Sequence, residues 1–290
     1  MYMITRRCTQ RQFLMRPDPR TNNAFIYCLA VAAARYDVDV LFTVAMSNHH
    51  HTGIHDRLGN YPEFLAYFHR LFAKCQNVLR GRWENFWSSE QTSVVRLDTM
   101  EDVVARMTYA LTNPVKDGLV ERAHHWPGVS SLPCLLNGVV LAATRPLRFF
   151  REDGPMPARV TLRMQLPPGL PTMDLADIRE LVLAAIARTE SDFAARRAAS
   201  GARVLGRRQV LAQDPSGRPP TDEPRRTLGQ RLAATNTWRR IEALLRNRAF
   251  RDAYAQARAA FLSGVENVIF PEGTYWLRRF SSARCDPGPA

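Results

Sequence analysis

The segment 38–55 constrains the fold more than any other part of this chain. Val38 to Ala45 is apolar and β-branched, the composition of a buried strand. Met46-Ser47-Asn48 supplies a turn, and His49 to His55 returns as the second strand of a hairpin. The flanking segments extend the pattern. Residues 2–8 read as a first strand. Asn22 to Tyr36 reads as a helix with Phe25, Ile26, Leu29 and Ala33 on one face. Asn60 is placed to cap a second helix, with Pro62 in its first turn and Glu63 at the capping-box position. Phe64, Phe68, Leu71, Phe72, Cys75 and Leu79 then follow at helical spacing. Thr92 to Leu97 is a short strand. Thr99 and Asp102 begin a third helix that should stop near Asn113, because Pro114 disfavours helical geometry in the residue before it. The order β-α-β-β-α-β-α predicts an α+β fold: a ferredoxin-like antiparallel sheet covered by helices.

After about residue 145 the character changes, so the reading is a domain over 1–145 followed by a mostly helical region over 146–290. Residues 159–167 suit a strand. Leu175 to Ala198 suits a helix with Ile178, Leu181, Val182 and Ile186 inward. Asp214 to Arg226 is rich in Pro and Arg without an apolar period, as a linker would be. Helices are expected at Leu228–Arg246 and Phe250–Ser263, and a last strand at Thr274–Phe280.

The charge balance bears on the partner. The net charge is +13, and only Lys74 and Lys116 among the 40 basic residues are not Arg. Arg is a forked donor suited to phosphate, which points to a nucleic acid, although a GC-rich genome would also favour Arg codons. The first 145 residues hold 16 basic and 12 acidic side chains and the rest 24 and 15, so the excess lies in the second half. There Arg196, Arg197, Arg207, Arg208, Arg225, Arg226, Arg239 and Arg240 are candidate phosphate contacts. The five cysteines are odd in number and widely spaced, with no C-x-x-C pair. Cys28 and Cys75 look like core thiols. With no signal peptide and no apolar run of membrane-spanning length, a reducing cytoplasm is expected, at the nucleoid if the partner is DNA. No P-loop and no G-x-G-x-x-G nucleotide motif occurs.

Two groups of residues carry chemistry. On a strand, His49 and His51 share a face and His50 points to the other, so the outer pair can hold one divalent metal; the same triplet also suits a polar hairpin with solvated histidines. Tyr109 and Asn113 lie four apart and share a helix face. Val103, Val104, Met107, Ala110 and Leu111 form the apolar stripe of that helix, and Tyr109 falls nearly opposite its centre. Asn before Pro is also an ordinary helix-ending turn.

The run Val44-Ala-Met-Ser-Asn-His-His-His-Thr-Gly-Ile54 resembles the "xxMPNHxHxxx" hairpin of insertion-sequence-200-like transposases. Met107-Thr-Tyr-Ala-Leu-Thr-Asn-Pro-Val-Lys-Asp-Gly-Leu-Val120 resembles their "YIxxNPVxAGLV" segment. Gly81-Arg-Trp-Glu-Asn-Phe-Trp87 lies between the two, where that family has a "GxxWxxxF"-like run. Within the superfamily the chain is most similar to the REP-associated tyrosine transposases, over roughly residues 2–130. The resemblance implies that His49 and His51 are the HUH metal ligands, that Asn113 is the third ligand and that Tyr109 is the nucleophile. Mg²⁺ or Mn²⁺ would be the metal and single-stranded or hairpin DNA the partner. A covalent 5′-phosphotyrosine intermediate would form, and the released 3′-hydroxyl would permit rejoining. Relatives work as dimers or monomers, so a homodimer stays open. His50 stands where the family is usually apolar, free to compete for metal or face solvent, and Ser47 stands where it often has Pro. Two other readings compete. One is a non-catalytic DNA-binding protein descended from a transposase. The other is a metal-dependent hydrolase using Asp56 or Glu84 as base.

Overall fold

In a computed structural model, residues 1–165, 175–221, 232–233 and 236–287 are described. The chain's contacts fall into two units, Met1–Ala233 and Ala234–Ala290. The first begins with β1 (Tyr2–Arg7), α1 (Pro19–Tyr36), β2 (Val38–Ala45), β3 (His49–Asp56), α2 (Tyr61–Arg80), β4 (Ser93–Leu97) and α3 (Met100–Leu111). That is the order read from the sequence. The four strands lie as β2-β3-β1-β4, every pair antiparallel, the split β-α-β arrangement. Leu232–Ala233 forms β7, which adds to β4 in parallel and makes a mixed five-stranded sheet. No periodicity announces a two-residue strand.

Both faces of the sheet are covered, and alternation along β1 assigns them. Ile4 points toward α1 and α2 with Phe25, Leu29, Phe64, Phe68 and Phe72. Met3 points the other way, toward Val103, Met107, Ala110 and Leu111 of α3. In the register Ile4 pairs with Thr52, Thr5 with His51 and Arg7 with His49. Hence His49 and His51 face α3, while His50 and Thr52 face α1 and α2. Gly53 shares the His51 face, where a Cβ would come within 2.2 Å of the Phe42 ring. The absence of a side chain there lets Phe42 lie across β3.

Local chemistry sets the helix ends. The Asp18 carboxylate accepts from the Thr21 amide with Pro19 in the first turn, and the Thr99 hydroxyl accepts from the Asp102 amide. α2 differs from expectation. The Asn60 side chain makes no cap bond, and the Asp56 carboxylate accepts from the Asn60 and Tyr61 amides instead, at 3.0 Å each. α2 ends at Gly81, whose φ of 63° costs nothing without a Cβ.

The remaining elements of the first unit are α4 (Asn113–Lys116), α5 (Leu132–Asn137), β5 (Leu141–Thr144), β6 (Arg159–Leu162), α6 (Leu175–Ser200) and α7 (Arg207–Ala212). The expected change of domain near residue 145 falls inside this unit. The β5–β6 hairpin packs on α1, and α6 packs on α3, burying Ile178, Val182 and Ile186. Leu181, expected inward, is exposed. Buried Glu190 of α6 accepts from the Ala123 amide at 2.8 Å and from Arg122 at 3.0 Å, fixing the segment after α4. Residues 214–221 also join this unit: the Gly217 carbonyl accepts from the Phe13 amide. The rest of the expected linker, 222–226, lies outside the described residues.

The second unit holds α8 (Thr237–Leu262), β8 (Ile269–Phe270), α9 (Tyr275–Phe280) and β9 (Arg284–Cys285). Two helices were expected where one continuous α8 runs. Asn247, Arg248 and Ala249 carry neither Gly nor Pro to break it. Residues 228–231, the start expected for the first of those helices, lie outside the described residues. The strand expected at Thr274–Phe280 is the helix α9, with Trp276 stacked on Phe280 one turn later. Phe250 stacks on Tyr254, which meets Phe270, as does Phe261. The later region is thus mostly helical, and the fold is α+β.

Candidate active site

The His49–His51 run of β3 and the α3–α4 segment converge on one face of the sheet. α3 closes at Leu111, and after Thr112 the chain resumes helical hydrogen bonding: the Lys116 amide donates to the Thr112 carbonyl and the Asp117 amide to Asn113. Asn113 therefore opens the short helix α4 rather than ending a turn, and it keeps the phase of α3. Its carboxamide reaches the strand: Nδ2 lies 3.0 Å from His49 Nε2 and 2.9 Å from His51 Nε2. Tyr109, one turn earlier, sets its ring against the His51 ring, 5.6 Å between centroids and 76° between planes. Its exposure is 40 %, in keeping with a place off the apolar stripe.

The other nitrogen of each imidazole is also held. His49 Nδ1 donates to Asn48 Oδ1 at 2.7 Å, and His51 Nδ1 meets Thr5 Oγ1 at 2.8 Å. Burial is the main cause that holds the His51 pKa well below the usual histidine range, with His49, His50, Arg7 and Lys116 adding to it. A neutral His51 that accepts at Nε2 carries its proton on Nδ1, so Thr5 is the acceptor there. The Nε2 lone pairs of both rings thus point at the end of one carboxamide. Backing of the second ring nitrogen is how metal-binding histidines are oriented.

His50 corrects the expectation that it faces solvent or competes for metal. It is fully buried among Phe25, Phe68, His69 and Trp87. A hydrogen-bond chain fixes it. The Thr43 hydroxyl donates to the His51 carbonyl, so Thr52 donates to Thr43 at 2.9 Å. Thr52 then accepts from His50 Nδ1 at 3.0 Å, and His50 Nε2 accepts from His69 Nε2 at 3.1 Å. Burial keeps both rings neutral, with the His69 pKa pulled down to about 3. His50 fills, with polar atoms satisfied, a position that a hydrophobic side chain would otherwise occupy.

The donor set fits a divalent cation. Turning the Asn113 amide about its axis brings Oδ1 to the two Nε2 atoms, and three acceptors that close need a positive charge between them. Imidazole with a carboxamide suits Mn²⁺, while Mg²⁺ prefers oxygen. No trio of His, Cys, Asp or Glu side chains able to hold a metal occurs among the described residues. Of the two bases the hydrolase reading named, Asp56 stands far from the imidazoles. Asp56 caps α2 at the end of β3 away from His49, roughly 20 Å along the strand, and Glu84 is exposed.

Sequence reasoning passed over three partners. Thr5 carried no signal until the strand register was known, and Asn48 stood in the motif without its bond to His49 being read. Lys116 did carry one: it lies seven residues after Tyr109 and is one of two lysines in the chain. Its Nζ sits 4.4 Å from the centroid of the Tyr109 ring. Of the basic pairs, Arg196, Arg207, Arg208, Arg239 and Arg240 are exposed and Arg197 is half-buried, whereas Arg225 and Arg226 lie outside the described residues.

No protein-family model and no curated protein matches this sequence. Among solved structures, a REP-associated tyrosine transposase bound to a REP hairpin is similar in structure, with 16 % sequence identity and a TM-score of 0.38. The similarity covers 45 % of this chain and 75 % of that one. No helix among the described residues is long and apolar enough to cross a membrane.

Proposed function

We propose that this protein is a single-tyrosine DNA strand transferase of the HUH transposase type, acting on single-stranded, hairpin-associated DNA with a divalent metal. The observation that carries the reading is the meeting of His49 Nε2, His51 Nε2 and the Asn113 carboxamide within 3.0 Å, beside the Tyr109 ring. The motifs around these four residues support it independently. In this reading His49, His51 and Asn113 hold Mg²⁺ or Mn²⁺, which when bound draws charge from the phosphate and stabilises the extra charge of the transition state.

Tyr109 attacks phosphorus. The bond from its phenol oxygen to phosphorus forms as the bond to the 3′-oxygen breaks, and the phenol proton is balanced by the one the departing 3′-oxygen takes up. The product is a 5′-phosphotyrosine and a free 3′-hydroxyl. A 3′-hydroxyl reverses these steps and reseals the strand. One phosphodiester is exchanged for another, so no nucleotide cofactor is required. Residues 1–145 would carry this chemistry. The Arg-rich second half would hold the DNA backbone, with or without a second copy of the chain.

The test is a denaturing gel of end-labelled hairpin DNA incubated with protein and Mn²⁺. A labelled protein band identifies the reaction. Binding of the hairpin with no such band under any metal would instead identify a DNA-binding descendant that has lost catalysis.

A further inference from the structure

Tyr109, Asn113 and Lys116 stand at positions i, i+4 and i+7, one stripe along α3 and α4. Asn113 faces the two imidazoles, and Lys116 reaches back over the nucleophile's ring. We propose that the Lys116 ammonium is a direct contact for the phosphate that Tyr109 attacks, a second positive charge beside the metal. The inference rests on the reading of Tyr109 as nucleophile.

Three observations carry it. Nζ lies 4.4 Å from the Tyr109 ring centroid, so any phosphate within bonding reach of the phenol oxygen lies close to this charge. The side chain is half-buried, yet no carboxylate among the described residues is ion-paired with it. Burial lowers its pKa, with Asp117 beside it in sequence opposing the shift. A partly desolvated cation that sits over a ring face and is held in no ion pair is poised for an anion. Finally, 38 of the 40 basic residues are Arg, and this one is Lys. A guanidinium here would stack flat on the ring, whereas an ammonium is a compact charge that keeps donors directed away from it.

The experiment has two arms on the full chain. In the first, adduct formation is followed in single turnovers with Mn²⁺ and a saturating pool of hairpin oligonucleotides with randomised flanks. Lys116→Gln should slow adduct formation about 100-fold, the scale of losing one preorganised transition-state donor. Lys116→Arg should recover only part of that loss, because its guanidinium stacks on the ring, and Lys74→Gln should match the wild type. In the second arm, the protein is labelled with ¹⁵N-lysine and studied without metal. Its two side-chain ammonium signals are distinguished by the Lys74 variant, and the Lys116 signal alone should shift as the same DNA is added. A lysine that merely clamps the ring would leave that signal unmoved by DNA. Wild-type rates in Lys116→Gln, or a Lys116 signal that ignores DNA, overturn the proposal. A wild type that forms no adduct removes the strand-transferase reading, and the second arm still decides the phosphate contact.

Discussion

The rings of His51 and Tyr109 meet edge to face at 5.6 Å, one on a strand and the other on a helix that crosses the same face of the sheet. Packing of α3 on that face therefore brings the phenol to the imidazole pair. Tyr109 is 40 % exposed, and no hydrogen bond from its hydroxyl occurs among the described residues.

Tyr109→Phe keeps the ring, its contact with His51 and its cation–π partner Lys116. Covalent adduct formation should vanish while stability changes by no more than about 0.5 kcal/mol. Hairpin binding should stay near that of the wild type. Gel analysis and thermal melts on the same preparation check this. A labelled adduct in the Phe protein would move the nucleophile elsewhere, with Tyr61 and Tyr67 the next to test.

The three histidines should separate into two phenotypes. His49 is only half-buried, and its loss should cost about 1 kcal/mol or less while abolishing Mn²⁺ binding. His51→Ala should likewise abolish metal binding. His50→Ala leaves a cavity among four rings and strips His69 and Thr52 of their partner, a cost of roughly 2–4 kcal/mol. Urea denaturation alongside calorimetry with Mn²⁺ separates the effects. A His50→Ala protein as stable as His49→Ala would contradict the buried network.

Stability should fall on mild acidification through His69. Its folded pKa is pulled down to about 3 from an ordinary 6.5, so between those values the unfolded chain binds the extra proton. The stabilisation is complete above pH 6.5 and is lost as pH falls toward 3. At pH 5 this residue alone should cost about 2 kcal/mol relative to pH 7. Denaturation of His69→Gln, with chelator present throughout, should show a stability difference between pH 5 and 7 smaller by that amount. An unchanged difference would mean that His69 is not buried neutral.

Alternation and helical spacing carried much of this architecture in the sequence. The phase of β3 follows from period two, and it set His49 and His51 apart from His50 before any register was known. The α3 stripe likewise placed Tyr109 off the core. What stayed hidden depended on tertiary contacts. Asp56 caps α2 from the end of β3, outcompeting Asn60, the cap expected from local sequence. The fate of His50 depended on α1 and α2 covering its face. β7 is two residues long, and α6 belongs to the first unit because it buries Ile178, Val182 and Ile186 against α3. None of these is a periodic signal.

The packing of α6 also decides how a DNA-binding role for the second half can be tested. Cutting the chain near residue 145 would remove buried core with the arginines, so substitution in the full chain is the sound approach. Arg196, Arg197, Arg207 and Arg208 lie in the first unit, and Arg239 and Arg240 in the second. Arg196 rests over the Phe193 ring at 5.0 Å, which steadies its guanidinium at the surface. Each phosphate contact on a single strand contributes about 0.7 to the slope of log affinity against log salt. Replacing all six arginines with Gln should therefore lower that slope by up to about 4 and weaken binding most at low salt. Preference among hairpin sequences should be little changed, because phosphate contacts carry little sequence information. Titrations of one hairpin across a salt series, repeated for each pair, would apportion the effect. If affinity and slope both match the wild type in the sixfold variant, these arginines are a solvated surface and the DNA is held elsewhere.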